Sequence, residues 1–391
     1  MKKNTEVAII GGGINGCTIA YNLSKEGIDT VLLDKGRLAN GATGRSGAMI
    51  WSKWSDEPNP NKELLKLGLS TAERFAELEE ELDYNIEYKT SDSLTLALPE
   101  EEGHYKAVAN LRKNLGIPIE WLGPDEIRKE APYIDVDNNP VSGGYHIFGH
   151  LANAGANPFY TVEALATNAR RLGAEIYTYT EVIGIEVENG KIESILTTNG
   201  KIKTHIVVNA AGAWSSDVAK MAGIKIPTMP YRDEALITEP LKPLPYLVIC
   251  ENLWARQTKT GEIIAGEDAM PIREPGYNAE ASLGSLKRTT EVMQKYIPRL
   301  GNVNILRHWG GFEDITPDEL PILGEVDELQ GLILACGCNG YGFCFSQALG
   351  KLITDLIVRQ EKPKVMELFS LGRFGREHRE YSGRWYGSCQ G

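Results

Sequence analysis

Val7-Ala8-Ile9-Ile10-Gly11-Gly12-Gly13-Ile14-Asn15-Gly16 opens a unit that continues through an amphipathic stretch to Gly27 and closes on Thr30-Val31-Leu32-Leu33-Asp34. The order reads as strand, tight turn, helix, strand. Gly11 permits the turn, Gly13 lets the backbone approach a pyrophosphate with no Cβ in the way, and Gly16 lets the helix pack closely on the strand. Phosphates belong at the positive amino end of such a helix. Asp34 ends the second apolar strand roughly 20 residues beyond the glycines, where a carboxylate accepts hydrogen bonds from adenosine ribose hydroxyls. An acid there disfavours a 2′-phosphate, so the unit is read as dinucleotide-binding and not as an NADP site.

The chain has 391 residues, beyond what one hydrophobic core usually serves, and two domains are expected. Its 41 basic and 53 acidic residues give a formal charge of −12, which argues against nucleic acid or an anionic membrane as partner. Met1-Lys2-Lys3-Asn4-Thr5 leads straight into the first strand, and no apolar run approaches the roughly 20 residues of a membrane span. The expectation is a cytoplasmic protein. Cys336, Cys338 and Cys344 cluster, but in an apolar Gly-rich segment without zinc or iron–sulfur spacing. The histidines at 104, 146, 150, 205, 308 and 378 form no metal or triad pattern either, so no metal is expected.

Further along, Gly41-Ala42-Thr43-Gly44-Arg45-Ser46-Gly47-Ala48 is a small-residue loop able to lie flat against a cofactor. Lys62 to Leu82 has helical spacing, Ser93 to Leu98 alternates like a strand, and Trp121 to Ile127 reads as a strand end and helix start. Asn157-Pro158 leads a helix through Leu172, after which strands around the Asn189-Gly190 and Asn199-Gly200 turns bring the chain to Ile206–Trp214. Pro230 to about Gly324 reads as mostly short strands with one polar helix, Leu283 to Tyr296. A second glycine cluster then follows the strand Leu332–Ala335: Cys336-Gly337-Cys338-Asn339-Gly340-Tyr341-Gly342-Phe343, before a helix from Gln347 to Arg359. Such a turn offers unobstructed N–H groups to an electron-rich edge. Three separated cofactor-like segments imply two domains interleaved in sequence.

Taken in order, the N-terminal glycines with Asp34, the Val182 segment, Val207–Trp214, Arg307-His308-Trp309-Gly310-Gly311, Thr316-Pro317-Asp318, Pro321–Gly324 and the Gly337–Phe343 turn resemble the FAD-dependent amine oxidoreductases of the D-amino-acid oxidase superfamily. That superfamily contains glycine oxidase, sarcosine oxidase and the flavin subunit of archaeal-type L-proline dehydrogenase. The resemblance covers nearly the whole chain. It implies an α/β fold in which a Rossmann-like FAD-binding domain (1–55, 145–225 and 325–372) is interleaved with a mainly antiparallel β-sheet substrate domain (56–144 and 226–324). The tail, 373–391, is rich in Arg, Tyr and Trp and suits a subunit interface, with a partner subunit or a second copy of the chain, or is a frayed terminus.

The same resemblance implies the ligand set. Gly11, Gly13, Ile14, Asn15, Gly16, Asp34 and Lys35 would hold the ADP half of FAD. Thr43, Gly44, Arg45, Ser46 and Gly47 would line the pyrophosphate and isoalloxazine, and Val182 would meet the adenine. Ala211, Gly212 and Trp214 would lie alongside the cofactor. Gly337, Asn339, Gly340, Tyr341, Gly342 and Phe343 would sit at the pyrimidine edge. The flavin is expected to be non-covalent: Gly311 stands where monomeric sarcosine oxidase has its flavin-bearing cysteine, and no histidine lies in Gly41–Ala48.

Departures concern the substrate. Glu313 replaces the carboxylate-gripping arginine of glycine oxidase, and Cys344 replaces a lysine of sarcosine oxidase. Arg45, Arg256 and Arg307 remain as carboxylate receptors. Tyr341 and Cys344 complete the substrate-side candidates. Glu313 and Asp314 either meet a cationic amine or form a solvated acidic turn. The expected reaction is hydride transfer from the carbon beside a neutral amine nitrogen, as a dehydrogenase, on a secondary amino acid such as proline or sarcosine or on a D-amino acid. The alternatives are a non-catalytic FAD-binding electron-transfer or assembly subunit, and an oxidase of opines or of carboxylate-free amines.

Overall fold

The protein is described from a computed structural model, over residues 1–51, 62–149, 153–244, 246–267 and 277–375. Its centre is a nine-stranded sheet. Five strands run parallel, in the order Leu329–Cys336, Ile206–Asn209, Val7–Ile10, Thr30–Leu33, Glu175–Tyr177. A meander of Val182–Glu188, Lys191–Thr197 and Gly200–Lys203 extends one edge, and Ile322–Val326 pairs antiparallel with Leu329–Cys336.

The parallel strands are mostly apolar because both faces are covered. Ile9, Leu32, Val208 and Ile333 point into one core, shared with the helices Ile14–Lys25, Pro158–Arg171 and Ser346–Arg359. Ala8, Ile10, Val31, Leu33, Val207, Leu332 and Leu334 point into the other, under the meander and the short helix Ser215–Met221. Each such aliphatic side chain contributes about 1.5–3 kcal/mol by burial. Asn157 caps the helix Pro158–Arg171 by accepting from the N–H groups of Phe159 and Tyr160.

Two further sheets stand over this layer. One is antiparallel, in the order Leu253–Gln257, Ile263–Glu267, Met229–Thr238, Ile305–Ile315. The other joins Leu247–Ile249, Ser93–Ala97, Gly143–Ile147 and Ile119–Leu122. A small sheet of Met49–Ile50, Ala154–Gly155 and Lys89–Thr90 lies between chain segments of both kinds. The helix Lys62–Leu82 falls where its helical spacing predicts, and the polar helix Leu283–Tyr296 where it is expected. The region from Pro230 to Gly324 holds mostly short strands, of three to five residues, and one helix, as expected, but two of its strands are long. Met229–Thr238 and Ile305–Ile315 are ten and eleven residues long and pair along almost their whole length. Their alternation is masked by Arg232, Glu234 and His308, polar residues that turn inward and lie close together: Arg232 Nε lies 3.2 Å from Glu234 Oε1, and His308 Nε2 3.2 Å from Glu234 Oε2. Among the described residues no helix is long and apolar enough to cross a membrane.

Candidate active site

The C-terminal ends of the parallel strands, where open α/β sheets place their ligands, open into a cavity of about 1300 Å³. Gly11 and Gly13 of the fingerprint lie on its floor. Gly11 has φ of +114°, which a side chain rarely tolerates, and a Cβ there would strike the Ala210 carbonyl. A Cβ on Gly16 would strike the carbonyl of Gly11 across the helix–strand contact. Gly13 faces the cavity, with only Thr43 Oγ1 near the place of a Cβ, at 3.1 Å. That hydroxyl accepts the N–H of Ile14 at 3.1 Å, joining the small-residue loop to the helix start. The first helical turn carries no acid, so its positive end is uncompensated.

Asp34 is held by two backbone donors. Gly12 N–H donates to Oδ2 at 2.6 Å and Gly36 N–H to Oδ1 at 2.7 Å, which turns the carboxylate toward the cavity. Lys35 lies beside it with Nζ 3.9 Å from the centre of the Trp214 ring, and its burial lowers its pKa. Trp214 stacks in parallel on Tyr277 at 5.6 Å, whose hydroxyl donates to Asp217 Oδ2 at 2.7 Å. Val182, Ala211 and Gly212 complete this arm of the lining.

The two glycine clusters, more than three hundred residues apart, meet at Asn15. Its Nδ2 donates to Cys338 Sγ at 3.4 Å and lies 3.5 Å from where a Cβ of Gly342 would be. Asn15 Oδ1 is buried without a partner among the described residues. Asn339, Gly340, Tyr341, Gly342 and Phe343 line the cavity with Thr43, Arg45, Ser46 and Gly47. Gly16, Gly44 and Gly337 do not; they permit the backbone approaches behind the wall. A Cβ on Gly44, for instance, would fall 2.7 Å from the Phe159 ring.

The three arginines part company. Arg256 is buried and points away from the cavity: Nε donates to the Gly47 carbonyl and Nη2 to that of Ala156, 3.0 Å away. Burial pulls it down to about 10, and its donors are spent on bracing the loop. Arg307 is exposed, 5.6 Å from the Trp309 ring, and does not line the cavity. Arg45 does. Its stem packs on Gly311, where a Cβ would lie 2.9 Å from Arg45 Cβ, and Nη1 donates to the carbonyls of Asn40 and Gly41. Lys35 and Arg45 are the only cationic side chains among the described lining residues.

Glu313 and Asp314 do not form a solvated turn. They lie near the end of the long strand Ile305–Ile315 and on the cavity lining, Asp314 buried and Glu313 with Oε1 2.5 Å from the place of a Gly340 Cβ. Cys344 lines the cavity with its thiol occupied: it donates to the Trp51 carbonyl at 3.2 Å and accepts from Trp51 N–H at 3.0 Å. Tyr341 is half-buried, edge-on to Phe345. His308 is tied to Glu234 outside the lining, and its burial lowers its pKa. Arg384–Gly387, Cys389, His150 and His378 lie outside the described residues, whereas Arg373 is anchored on Asp318 at 2.7 Å.

Sequence reasoning missed Trp254. It reaches the cavity from the antiparallel sheet and lies within 2.9 Å of where a Gly47 Cβ would be. Nothing in Leu253-Trp254-Ala255-Arg256 distinguishes it from a core aromatic; Trp254 and Arg256, two apart on one strand, share a face, and both meet Gly47.

Asp34→Ala is expected to weaken dinucleotide retention. It removes the acceptor of two backbone donors, and hydrogen bonds to a charged group contribute about 1.5–3 kcal/mol each. Titration of the apoprotein should give a Kd raised at least about tenfold, equivalent to about 1.4 kcal/mol; an unchanged Kd would contradict this role.

Residues 6–356 match the DAO family of FAD dependent oxidoreductases. The chain is 31% identical over 391 residues to sarcosine oxidase subunit beta of Rhizobium meliloti, covering 96% of this chain and 89% of that one. It is 26% identical over 367 residues to glycine oxidase of Bacillus subtilis, covering 92% and 95%. Among solved structures, L-proline dehydrogenase from P. horikoshii superposes with a TM-score of 0.87 at 30% identity, over 97% of this chain and 100% of that one.

Proposed function

Because the chain belongs to the DAO family of FAD-dependent oxidoreductases, which act on amino acids and amines, we propose that it oxidises a secondary amino acid such as proline or sarcosine, or a D-amino acid, to the imine. The cavity fits the cofactor. It exceeds the 300–1,000 Å³ or so of most small-molecule sites, and it offers a glycine cradle, a free helix N-terminus and the oriented Asp34 carboxylate. Asn15 Oδ1 is a buried acceptor there awaiting a donor. Bound FAD supplies the hydride acceptor, N5.

The protein's part is to hold and orient the substrate. Arg45 is the observation that carries this reading. It is the one guanidinium on the described lining, and with Nη1 anchored on two carbonyls its Nε and Nη2, without a hydrogen-bond partner among the described residues, can take a substrate carboxylate in a fork. Trp254 and Phe343 supply apolar walls that strip water from the reacting carbon. No side chain is required as a strong base, because the amine that reacts is already neutral. The relative's designation as a subunit supports a dehydrogenase with a partner subunit as physiological acceptor. A carboxylate-free amine is the second reading, favoured by Glu313 on the lining.

Under anaerobic stopped flow, the rate of flavin reduction at fixed substrate is expected to rise with pH and level off above the substrate amine's pKa. A profile flat through that pKa would overturn the mechanism.

A further inference from the structure

Asp314 stands where the long antiparallel sheet meets the second glycine turn. Its Oδ2 accepts the N–H of Gly337, the residue with φ of +67° that begins the turn. Its backbone carbonyl accepts the N–H of Asn339 at 3.0 Å. The Asn339 side chain is fastened in turn to Thr316, accepting its N–H at 2.8 Å, and to the Gly337 carbonyl at 2.6 Å. Asp314 therefore holds both ends of the Gly337–Asn339 bend. Its other oxygen, Oδ1, is buried on the cavity wall without a partner among the described residues. Such an acceptor costs about 1–3 kcal/mol unless a bound group or a proton meets it.

Asp34 and the first helix turn fix the adenosine and pyrophosphate at one arm of the cavity. On the reading proposed above, the isoalloxazine occupies the other arm, which Asp314 helps to wall. We infer that Asp314 is a positioning residue for the bound flavin, holding the Gly337 turn through one carboxyl oxygen and setting the flavin's reduction potential through the charge on the other.

Desolvation supports this, raising the carboxyl to about 7 against the opposing effect of the Gly337 N–H. The groups around it do not neutralise it. Cys336 and Cys338 face it from the strand and turn, their thiols pushed up by burial, Cys338 to about 12. Tyr277 faces it from the opposite segment, its phenol also raised, and Glu313 is its neighbour on the strand. Arg373 bears on Cys336. A negative charge beside a flavin disfavours electron gain, so the potential should be lower where Asp314 is ionised.

Asp314→Asn keeps an acceptor for the Gly337 N–H and removes the charge. Midpoint potentials of the holoproteins, measured by dye equilibration, should differ at about pH 8.5 by at least tenfold in the reduction equilibrium, about 30 mV more positive in the variant for a two-electron couple. The difference should shrink at about pH 6, below the carboxyl's range. Asp314→Ala should release flavin faster than Asp314→Asn. Equal potentials at both pH values, with FAD bound to both proteins, would overturn the inference while leaving the FAD site intact; wild-type protein that binds no FAD would sink the site itself. Should both variants lose flavin, wild-type holoprotein decides through its redox-difference infrared spectrum. A protonated-carboxyl band gained on reduction is expected, and its absence overturns the assignment.

Discussion

Gly16→Ala is expected to emerge from purification without flavin and with a lowered melting temperature. The added methyl would meet the carbonyl of Gly11, a backbone atom that cannot swing aside as a side-chain tip would. The helix Ile14–Lys25 would have to withdraw from the strand Val7–Ile10, opening the core around Ile9 and Cys17 and moving the N-terminal amides from their aim at the cavity. Overpacking of this kind costs about 1–3 kcal/mol where side chains give way, and more where they cannot. Gly11→Ala should be at least as severe, because it adds a disallowed φ to a clash with Ala210. Gly103→Ala is the matched control. It lies in the helix Glu102–Asn114 with nothing within 4 Å of the new methyl, and should hold FAD normally with stability unchanged or slightly raised. Absorbance near the flavin maximum and thermal melts of the three proteins read the result; a Gly16→Ala protein as yellow and as stable as wild type would refute the close packing described here.

Arg45→Met is expected to lower kcat/KM for a carboxylate-bearing substrate by about 100-fold or more, the equivalent of losing about 2.7 kcal/mol of charge-assisted hydrogen bonding. Methionine preserves the stem against Gly311, so folding and FAD content should survive. The comparison that gives the result meaning is Arg256→Met. Arg256 braces Gly47 and Ala156 from a buried position, so its loss should lower stability and affect all substrates alike. If Arg45→Met reduced turnover of a carboxylate-free amine as strongly as that of an amino acid, Arg45 would not be the carboxylate receptor.

The fold was legible where local rules and tertiary structure agree. The run from Val7 to Asp34 names its own geometry, because Gly11 and Gly16 each serve a backbone contact that no other residue permits. Asn157-Pro158 and the bounds of Lys62–Leu82 were equally plain, since caps and apolar period are written in adjacent residues. The paired strands Met229–Thr238 and Ile305–Ile315 were not. Their inward polar residues find partners only once the strands are joined, and no local pattern announces a pairing across seventy or so residues.

The glycine-lined end of the cavity was legible for the same reason as the fold, in its glycines and in Asp34. The other end was not. Arg256 and Arg45 are equivalent as letters, and only tertiary packing decides which is buried against Gly47 and Ala156 and which lines the cavity. Asp314 reads as a surface acid beside Glu313, yet its burial follows from the strand's closing residues passing beneath the glycine turn.

The most direct test of amine oxidation by bound flavin is the visible spectrum of the purified protein under anaerobic conditions, before and after addition of secondary amino acids, D-amino acids, opines and simple amines. A yellow protein bleached by a secondary or D-amino acid is the predicted result. A yellow protein bleached only by carboxylate-free amines would move the assignment to Glu313. A flavin that no amine reduces, or a colourless protein that does not take up FAD, would contradict it.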